Sequence, residues 1–591
     1  MFNAISRRDF MKGMMVGGVA LGSAGILAAC GSSSSSTSSS SSEESSSTES
    51  SSESSSSTES SSSESTETTE TVAGMEGWTA FENTVTLQIP VYDRGSSSNG
   101  VADVVDNYWT NWIQENFGDV YNIDVQFVAI TRSDVMTDYG LLAASQSLPT
   151  ILMEYDYDKL ATWQSEGYSA PYDIEEFKTI APTYYQMMVD EGIDSYTQLA
   201  DEDYLMLGKR PYGNTNYTFV TFYRKDWLEE AGYTEYPSTA SELNDLYAKL
   251  VENGHSAPLG GTKVSGAGID QNYAYRDYPQ DEETWVTTGD YQIPALSTEA
   301  QKRFLKLENY HYNQGWTNQE YYMRDSSEAQ SDFINGLCFT YSCYTSSTIT
   351  VLESFYETNP DAELGVCVCS SEFIEDKTWG SNNSYRPTNV FGTMISRSTT
   401  ATDDEFKAAE MYMEWMCQED VLFTMQWGIE DINFEYVDGT PTVISSDDSR
   451  YDESYAQGHN NNVDYWMIVT ASKTLGNIED DVAAITPQGV PQDFYQEILD
   501  NYYGQNQLYN DGYANSDALF AASLDSVSEY SQTLYDLYTE YRDLLVMCDP
   551  DEFDTLYDEY SEKYLQAGYQ AVIDERLELY NEGLTTKLPT A

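Results

Sequence analysis

Residues 217–251, YTFVTFYRKDWLEEAGYTEYPSTASELNDLYAKLV, decide the fold class of this chain. Thr218 to Tyr223 are all β-branched or aromatic, the composition of a buried strand, and the apolar run stops at Arg224, Lys225 and Asp226. Trp227, Leu228 and Ala231 then share one face of a short helix that Gly232 closes in the left-handed conformation. Past Tyr236-Pro237, Thr239 and Glu242 stand at capping-box spacing, so that hydroxyl and carboxylate satisfy the first free amides of the next helix. Leu243, Leu246, Tyr247, Leu250 and Val251 follow as one apolar stripe, and Gly254 lies past its last turn. The order strand, short helix, capped helix predicts an α/β protein.

Upstream, the same alternation begins earlier. Val85 to Pro90 reads as a first strand, Val101 to Phe117 carries apolar residues at helical spacing, and Ile123 to Ile130 is a second strand. A helix over Asp134 to Ala144 and a short strand over Thr150 to Met153 complete a βαβα order, which predicts a parallel sheet with helices on its faces. Ligands of such sheets sit at the carboxyl ends of the strands. Here those ends are Tyr92-Asp93-Arg94, Thr131-Arg132 and Glu154-Tyr155-Asp156. Asp404 to Met416 reads as a packed helix with Phe406, Ala409, Met413 and Met416 on one face, and Ser523 to Leu584 as an aromatic-rich pair of helical patterns.

Several of these stretches resemble the extracellular solute-binding proteins of ABC importers, family 1, carbohydrate type. The RKDWL segment at 224–228, with Gly232, Pro237, Thr239 and Glu242-Leu243 after it, is similar to the block that carries the family's chain from one lobe to the other. Pro149 to Phe177 resembles the family's strand and helix of the first lobe. Phe333 to Phe339 looks like its "F..G" turn, and Tyr344 to Thr348 occupies the loop that meets ligand. Asn389 to Ser396 with the helix at 404–416 resembles the return to the first lobe. Gly428 to Gly439 is similar to a "GiEG" signature of LipO-like members, with Asp431 in place of a Gly.

The resemblance implies a two-lobed periplasmic-binding-protein type II fold, each lobe a mostly parallel sheet flanked by helices, joined by hinge crossings near Tyr212 to Thr218 and Asn389 to Ile395. Residues 78–214 plus 390–425 would form lobe 1. Residues 215–389 plus 426–591, with the C-terminal helical segment, would form lobe 2.

The first thirty residues read as an address. Arg7, Arg8 and Lys12 precede a small-residue apolar run from Met14 to Ala29, the order of a signal peptide. Leu27-Ala28-Ala29-Cys30 looks like a lipobox, with Cys30 as the lipidation site that would hold the protein on the extracellular face of the cell membrane. Ser6 to Lys12 also resembles a twin-arginine signal, so both export routes stay open. Residues 31–71 are Ser and Thr with scattered Glu and nothing apolar to bury, which predicts a disordered tether. About forty such residues span roughly 30 to 40 Å.

The chain carries 98 acidic and 28 basic residues. Removing Asp9, the eight linker Glu and the three signal bases leaves 89 acids against 25 bases, a balance of −64. Such a surface repels nucleic acid and anionic lipid. Six Cys remain besides Cys30, none at zinc-knuckle spacing, and they read as small buried thiols, with one disulfide left open in an extracellular compartment. The chain shows no HExxH, GxSxG, GxxxxGK[ST] or GxGxxG pattern and no DxDxDG loop. Neither catalysis, metal nor cofactor is expected.

Aromatic surface is plentiful, with 49 Tyr, 11 Trp and 20 Phe. Aromatic planes cover the C–H faces of sugar rings while Asp, Asn and Arg take the hydroxyls, which points to a carbohydrate, an oligosaccharide, as ligand. The candidate ligand residues are Tyr92, Asp93, Arg94, Glu154, Tyr155, Asp156, Tyr344 and Arg386, with Trp285, Trp379 and Trp427 from loops near the lobe crossings. Arg94 leaves an acidic sugar open beside a neutral one. The expectation is a lipid-anchored receptor that passes its ligand to ABC permease subunits. Two alternatives stand beside it: a cell-surface enzyme acting on polysaccharide, which needs two carboxylates facing one cleft, and a carbohydrate-binding adhesin.

Overall fold

The computed structural model of the chain describes residues 75–585 apart from 76, 95–102, 216–218, 264–281, 289–292, 345–347, 373, 382–390, 438, 445–447, 453–454, 456–462, 486–491 and 514–517. The signal, the tether, Cys30 and Arg386 lie outside the described residues.

Val85, Leu87, Ile89 and Val91 bury one side of β1 (Val85–Asp93), which pairs in parallel with β2 (Ile123–Thr131), Val85 opposite Ile123 and Asp93 opposite Thr131. Between them lies α1 (Tyr108–Ile113). It starts seven residues later than its apolar spacing suggests, because Asn107 and Thr110 form a capping box there. Helix α2 (Val135–Ala144) leads to β3 (Ile151–Glu154), every residue of which is buried. Thr150 ties it to β1: its amide donates to the Gln88 carbonyl at 3.1 Å, and its hydroxyl accepts the Gln88 amide at 2.9 Å. Asp156 then caps α3 (Tyr157–Ser165).

After β4 (Leu205–Lys209) the chain crosses to β5 (Phe219–Arg224), α4 (Lys225–Glu230) and α5 (Ala240–Glu252), whose Thr239–Glu242 capping box is present as predicted. Next come α6 (Glu299–Gln314), β6 (Thr340–Tyr344) and β7 (Leu364–Val366), the last two joined by a helix over Thr348–Thr358. The chain returns as β8 (Phe391–Ser398) and α7 (Asp403–Met416).

The strand senses follow one rule in both lobes. β8 runs antiparallel between β3 and β4, with Ile395 facing Met153 on one side and Met206 on the other. β5 likewise runs antiparallel between β6 and β7, Val220 facing Cys343 and Phe222 facing Val366. In each of these two sheets a single strand thus runs against the neighbours on both its sides. In the second sheet that arrangement leaves no parallel pair among the described strands, because β6 and β7 share a direction but touch only β5.

Three hydrophobic cores stand out. The first draws on residues 75–207, 391–425 and 463–469. The second combines β5, β6 and β7 neighbours Phe333, Phe355 and Phe494. The third holds the C-terminal helices α8 (Asp525–Met547), α9 (Phe553–Tyr564) and α10 (Gln570–Glu582) against Phe304 and Leu305 of α6. Arg542 pairs with Glu308 at 2.7 Å there, and Asn309 donates to the carbonyls of Leu545, Val546 and Cys548.

Residues 463–469, expected with the second lobe, pack in the first core. The Tyr412 hydroxyl donates to the Tyr465 carbonyl at 2.9 Å and the Tyr184 hydroxyl to that of Ile468 at 2.6 Å. A third crossing therefore accompanies the two foreseen. Lys209 lies opposite Phe391 on β8 and, on its other side, donates to Val469 and accepts from Ala471, both at 2.8 Å. Gly392 makes this approach possible: a Cβ there would lie 2.6 Å from that of Ala471 and 2.8 Å from the Lys209 carbonyl oxygen. Asp431 takes a left-handed φ of 65°, the region a Gly enters without strain, and its amide donates to the Phe434 carbonyl at 2.8 Å.

Candidate functional site

The carboxyl ends of β1, β2 and β3 bring Tyr92, Arg94, Arg132, Glu154, Tyr155 and Asp156 together. Tyr92 is buried, and its hydroxyl donates to Glu154 Oε2 at 3.0 Å. Glu154 Oε1 accepts the Tyr155 amide at 2.8 Å. Both residues thus serve as the floor of the site and are closed off from a ligand by their own bonding.

The hub of this floor is Asp464, in a short helix over Val463–Trp466. Its carboxylate pairs with both terminal nitrogens of Arg94 and accepts the Tyr155 hydroxyl at 2.6 Å and the Tyr92 amide at 3.0 Å. Burial alone would push its pKa up. The Arg94 charge and these hydrogen bonds outweigh burial and hold it below the usual range. Arg94 is therefore an internal ion-pair partner, a role its strand-end position did not reveal.

Above this floor lies Arg132. Its guanidinium carbon is 4.9 Å from the Tyr92 ring centre and 5.3 Å from that of Tyr155, with Glu154 at 3.4 Å. Lys159 stands 3.8 Å from both Glu154 and Asp156. Asp156 spends one oxygen on capping α3, accepting the Asp158 amide at 3.2 Å. Burial raises its pKa, and Lys159 opposes that rise. Asp158 itself is pushed up to about 7 by burial and by Asp156, against the pull of Arg576 from α10.

From the second lobe comes Tyr344, the last residue of β6, 38% exposed and with its ring 4.6 Å from that of Phe219. Its hydroxyl is raised by burial and lowered by the charges of Arg210 and Arg132. Tyr344 therefore lies within range of the Arg132 charge at the strand ends of the first lobe.

The tryptophans fare differently. Trp285 is fully buried against Ala518, Phe520 and Leu524, a core residue of the C-terminal helical unit, and it is corrected from ligand candidate to packing residue. Trp427 is likewise buried with Phe423 and Phe434, its indole face covered by Lys473 at 3.8 Å. Trp379 is half-buried against Tyr310, ring centres 5.8 Å apart, on the second lobe. Asp93 is half-buried at the end of β1. Asp464 was missed by sequence reasoning, since it is 370 residues from Arg94 and no local pattern marks it.

The sequence matches the family model of bacterial extracellular solute-binding proteins over residues 112–432. No curated relative matches it. Among solved structures, the alginate-binding protein AlgQ2 without calcium ion superposes with a TM-score of 0.56 at 14% identity, covering 85% of this chain and 99% of that one. An extracellular solute-binding protein from Bifidobacterium longum subsp. infantis gives 0.57 at 11% identity, covering 86% and 100%. Streptococcus pneumoniae FusA in complex with kestose gives 0.55 at 12%, covering 84% and 99%. At these identities the likeness is one of fold, a two-lobed α/β receptor built on the same plan. With the family model spanning more than half of the chain, the protein belongs to the bacterial extracellular solute-binding proteins, a family of binding proteins and not of enzymes.

Proposed function

We propose that the protein is a lipid-anchored extracytoplasmic receptor that captures a carbohydrate, an oligosaccharide, and delivers it to the permease subunits of an ABC importer. The observation that carries this reading is the gathering of Tyr155, Arg132 and Asp156 at the strand ends of the first sheet, with Tyr344, the last residue of β6, within range of the Arg132 charge. Ring faces and forked polar groups set opposite each other suit the C–H faces and hydroxyls of a sugar. The three crossing segments at Lys209, Gly392 and Ala471 form a narrow waist about which the lobes would close. Among the described residues no helix is long and apolar enough to cross a membrane, and the attachment in this reading is the acyl chain expected at Cys30. The structures of kestose-bound FusA and the alginate-binding protein share this fold, and their ligands support the sugar reading.

A thermal-shift screen of residues 75–591 against mono- and oligosaccharides tests it, because a ligand that binds only the folded state raises Tm by mass action. A concentration-dependent rise with at least one oligosaccharide is expected. A flat response to every carbohydrate, with a rise for peptides or amino acids instead, would overturn the carbohydrate reading.

A further inference from the structure

Two clamps bracket the waist. On the side of the first core the clamp is backbone: Lys209 donates to the Val469 carbonyl and accepts from the Ala471 amide, so the first and third crossings leave that lobe side by side. On the side of the second core it is one carboxylate. Asp481, 3% exposed, lies in a helix over Ile478–Ile485 whose Ile478 and Val482 belong to that core. Its Oδ2 accepts the Tyr212 hydroxyl at 2.7 Å and the Thr474 hydroxyl at 2.8 Å, and its Oδ1 accepts the Leu475 amide. Tyr212 stands on the first crossing, Thr474 and Leu475 on the third. A single side chain therefore joins two segments more than 260 residues apart in sequence.

Between the clamps lie two residues of each crossing, Arg210-Pro211 and Ser472-Lys473. Pro211 fixes its own φ and biases Arg210 toward extended backbone. Tyr212 follows with a left-handed φ of 56°, a conformation in which a bulky side chain stays only when its surroundings hold it. The hold is threefold. Its hydroxyl is on Asp481, its ring stands edge-on to Tyr502 with centres 5.2 Å apart, and its carbonyl accepts the Thr215 amide and hydroxyl, both at 2.9 Å. An ionised carboxylate has acceptors only, so the three donors around Asp481 must all turn toward it, and it sets their places relative to one another.

We infer that Asp481 is a positioning residue for lobe closure: it makes the first and third crossings turn as one piece with the second lobe, so that the rotation is concentrated in residues 210–211 and 472–473. Asp481 acts through the crossings, without touching ligand. The inference rests on the closing of the lobes in the proposed function and not on the identity of the ligand.

The test is an interlobe distance measured by double electron–electron resonance on the full chain without ligand. Keto-reactive spin labels on p-acetylphenylalanine replace Leu141, 64% exposed on the first lobe, and Leu337, 58% exposed on the second, which leaves the cysteines untouched. Asp481→Ala should give a broader distance distribution than the parent. Tyr212→Phe and Thr474→Val, each losing one hydroxyl, should broaden it less, and Asp481→Asn, which keeps an acceptor for the Leu475 amide, should return part of the way to the parent. Asn309→Ala removes buried hydrogen bonds in the C-terminal helical unit, and should lower Tm without broadening the distribution, which separates positioning from lost stability. A parent-like width for Asp481→Ala, or equal broadening by Asn309→Ala, would overturn the inference. Should Asp481→Ala not fold, Tyr212→Phe and Thr474→Val decide, and parent-like widths in both would overturn it. Because no ligand enters the measurement, failure of the clamp leaves the carbohydrate reading standing, and a flat carbohydrate screen beside a broadened Asp481→Ala leaves the clamp standing alone.

Discussion

Replacing Asp464 by Ala should be among the most destabilising single changes in the first lobe. It leaves Arg94, with a side-chain exposure of 6%, as a buried charge without its bidentate partner, and strips acceptors from the Tyr155 hydroxyl and the Tyr92 amide. Removing one member of a buried pair costs about 3 to 5 kcal/mol. For a cooperative unit of the size of one lobe this corresponds to a drop in Tm of roughly 6 to 20 °C. The ion pair is expected to show coupling: Arg94→Met with Asp464→Leu should be less destabilised than Asp464→Ala alone, because both charges leave together. The pH dependence has a definite sign. Asp464 has a lowered pKa in the folded state, so its contribution is present above the unfolded carboxylate value near pH 4 and lost as pH falls through the folded value. Asp464→Asn should flatten the acid limb of the stability profile. Urea denaturation at several pH values measures all three quantities. A cost below about 1 kcal/mol for Asp464→Ala, or strict additivity in the double variant, would refute the hub assignment.

Three further outcomes follow. Cys30→Ser should release the protein from the membrane fraction, since its acyl attachment site would be gone, and persistent membrane association without partner subunits would count against the anchor. A fragment covering residues 78–211 should fail to melt cooperatively, because its core lacks β8, α7 and residues 463–469. Gly392→Ala should cost roughly 1 to 3 kcal/mol by forcing apart segments that approach within 2.8 Å of the added carbon, visible as a lowered Tm, and an unchanged melt would show that the waist tolerates separation.

Local patterning carried the elements of this fold. The strand at β5, the Thr239–Glu242 box and the helix Asp403–Met416 each depend on residues within a turn or two of one another, where period and capping chemistry act without reference to the rest of the chain. The strand ends were legible for the same reason, since position at the carboxyl end of a strand is a property of sequence order. What those residues do there was decided by tertiary packing. Tyr92, Arg94 and Glu154 turned inward because Asp464 and the neighbouring strands supplied their partners, hundreds of residues away for Arg94 and 62 for the Tyr92–Glu154 bond. Trp285 and Trp427 went to cores because an indole is large enough to repay burial wherever an apolar wall meets it, and sequence position says nothing of where such a wall will stand. The third crossing at 469–471, too, exists only in three dimensions: it is held by backbone hydrogen bonds to Lys209, and backbone bonds leave no mark on the identity of the residues that make them.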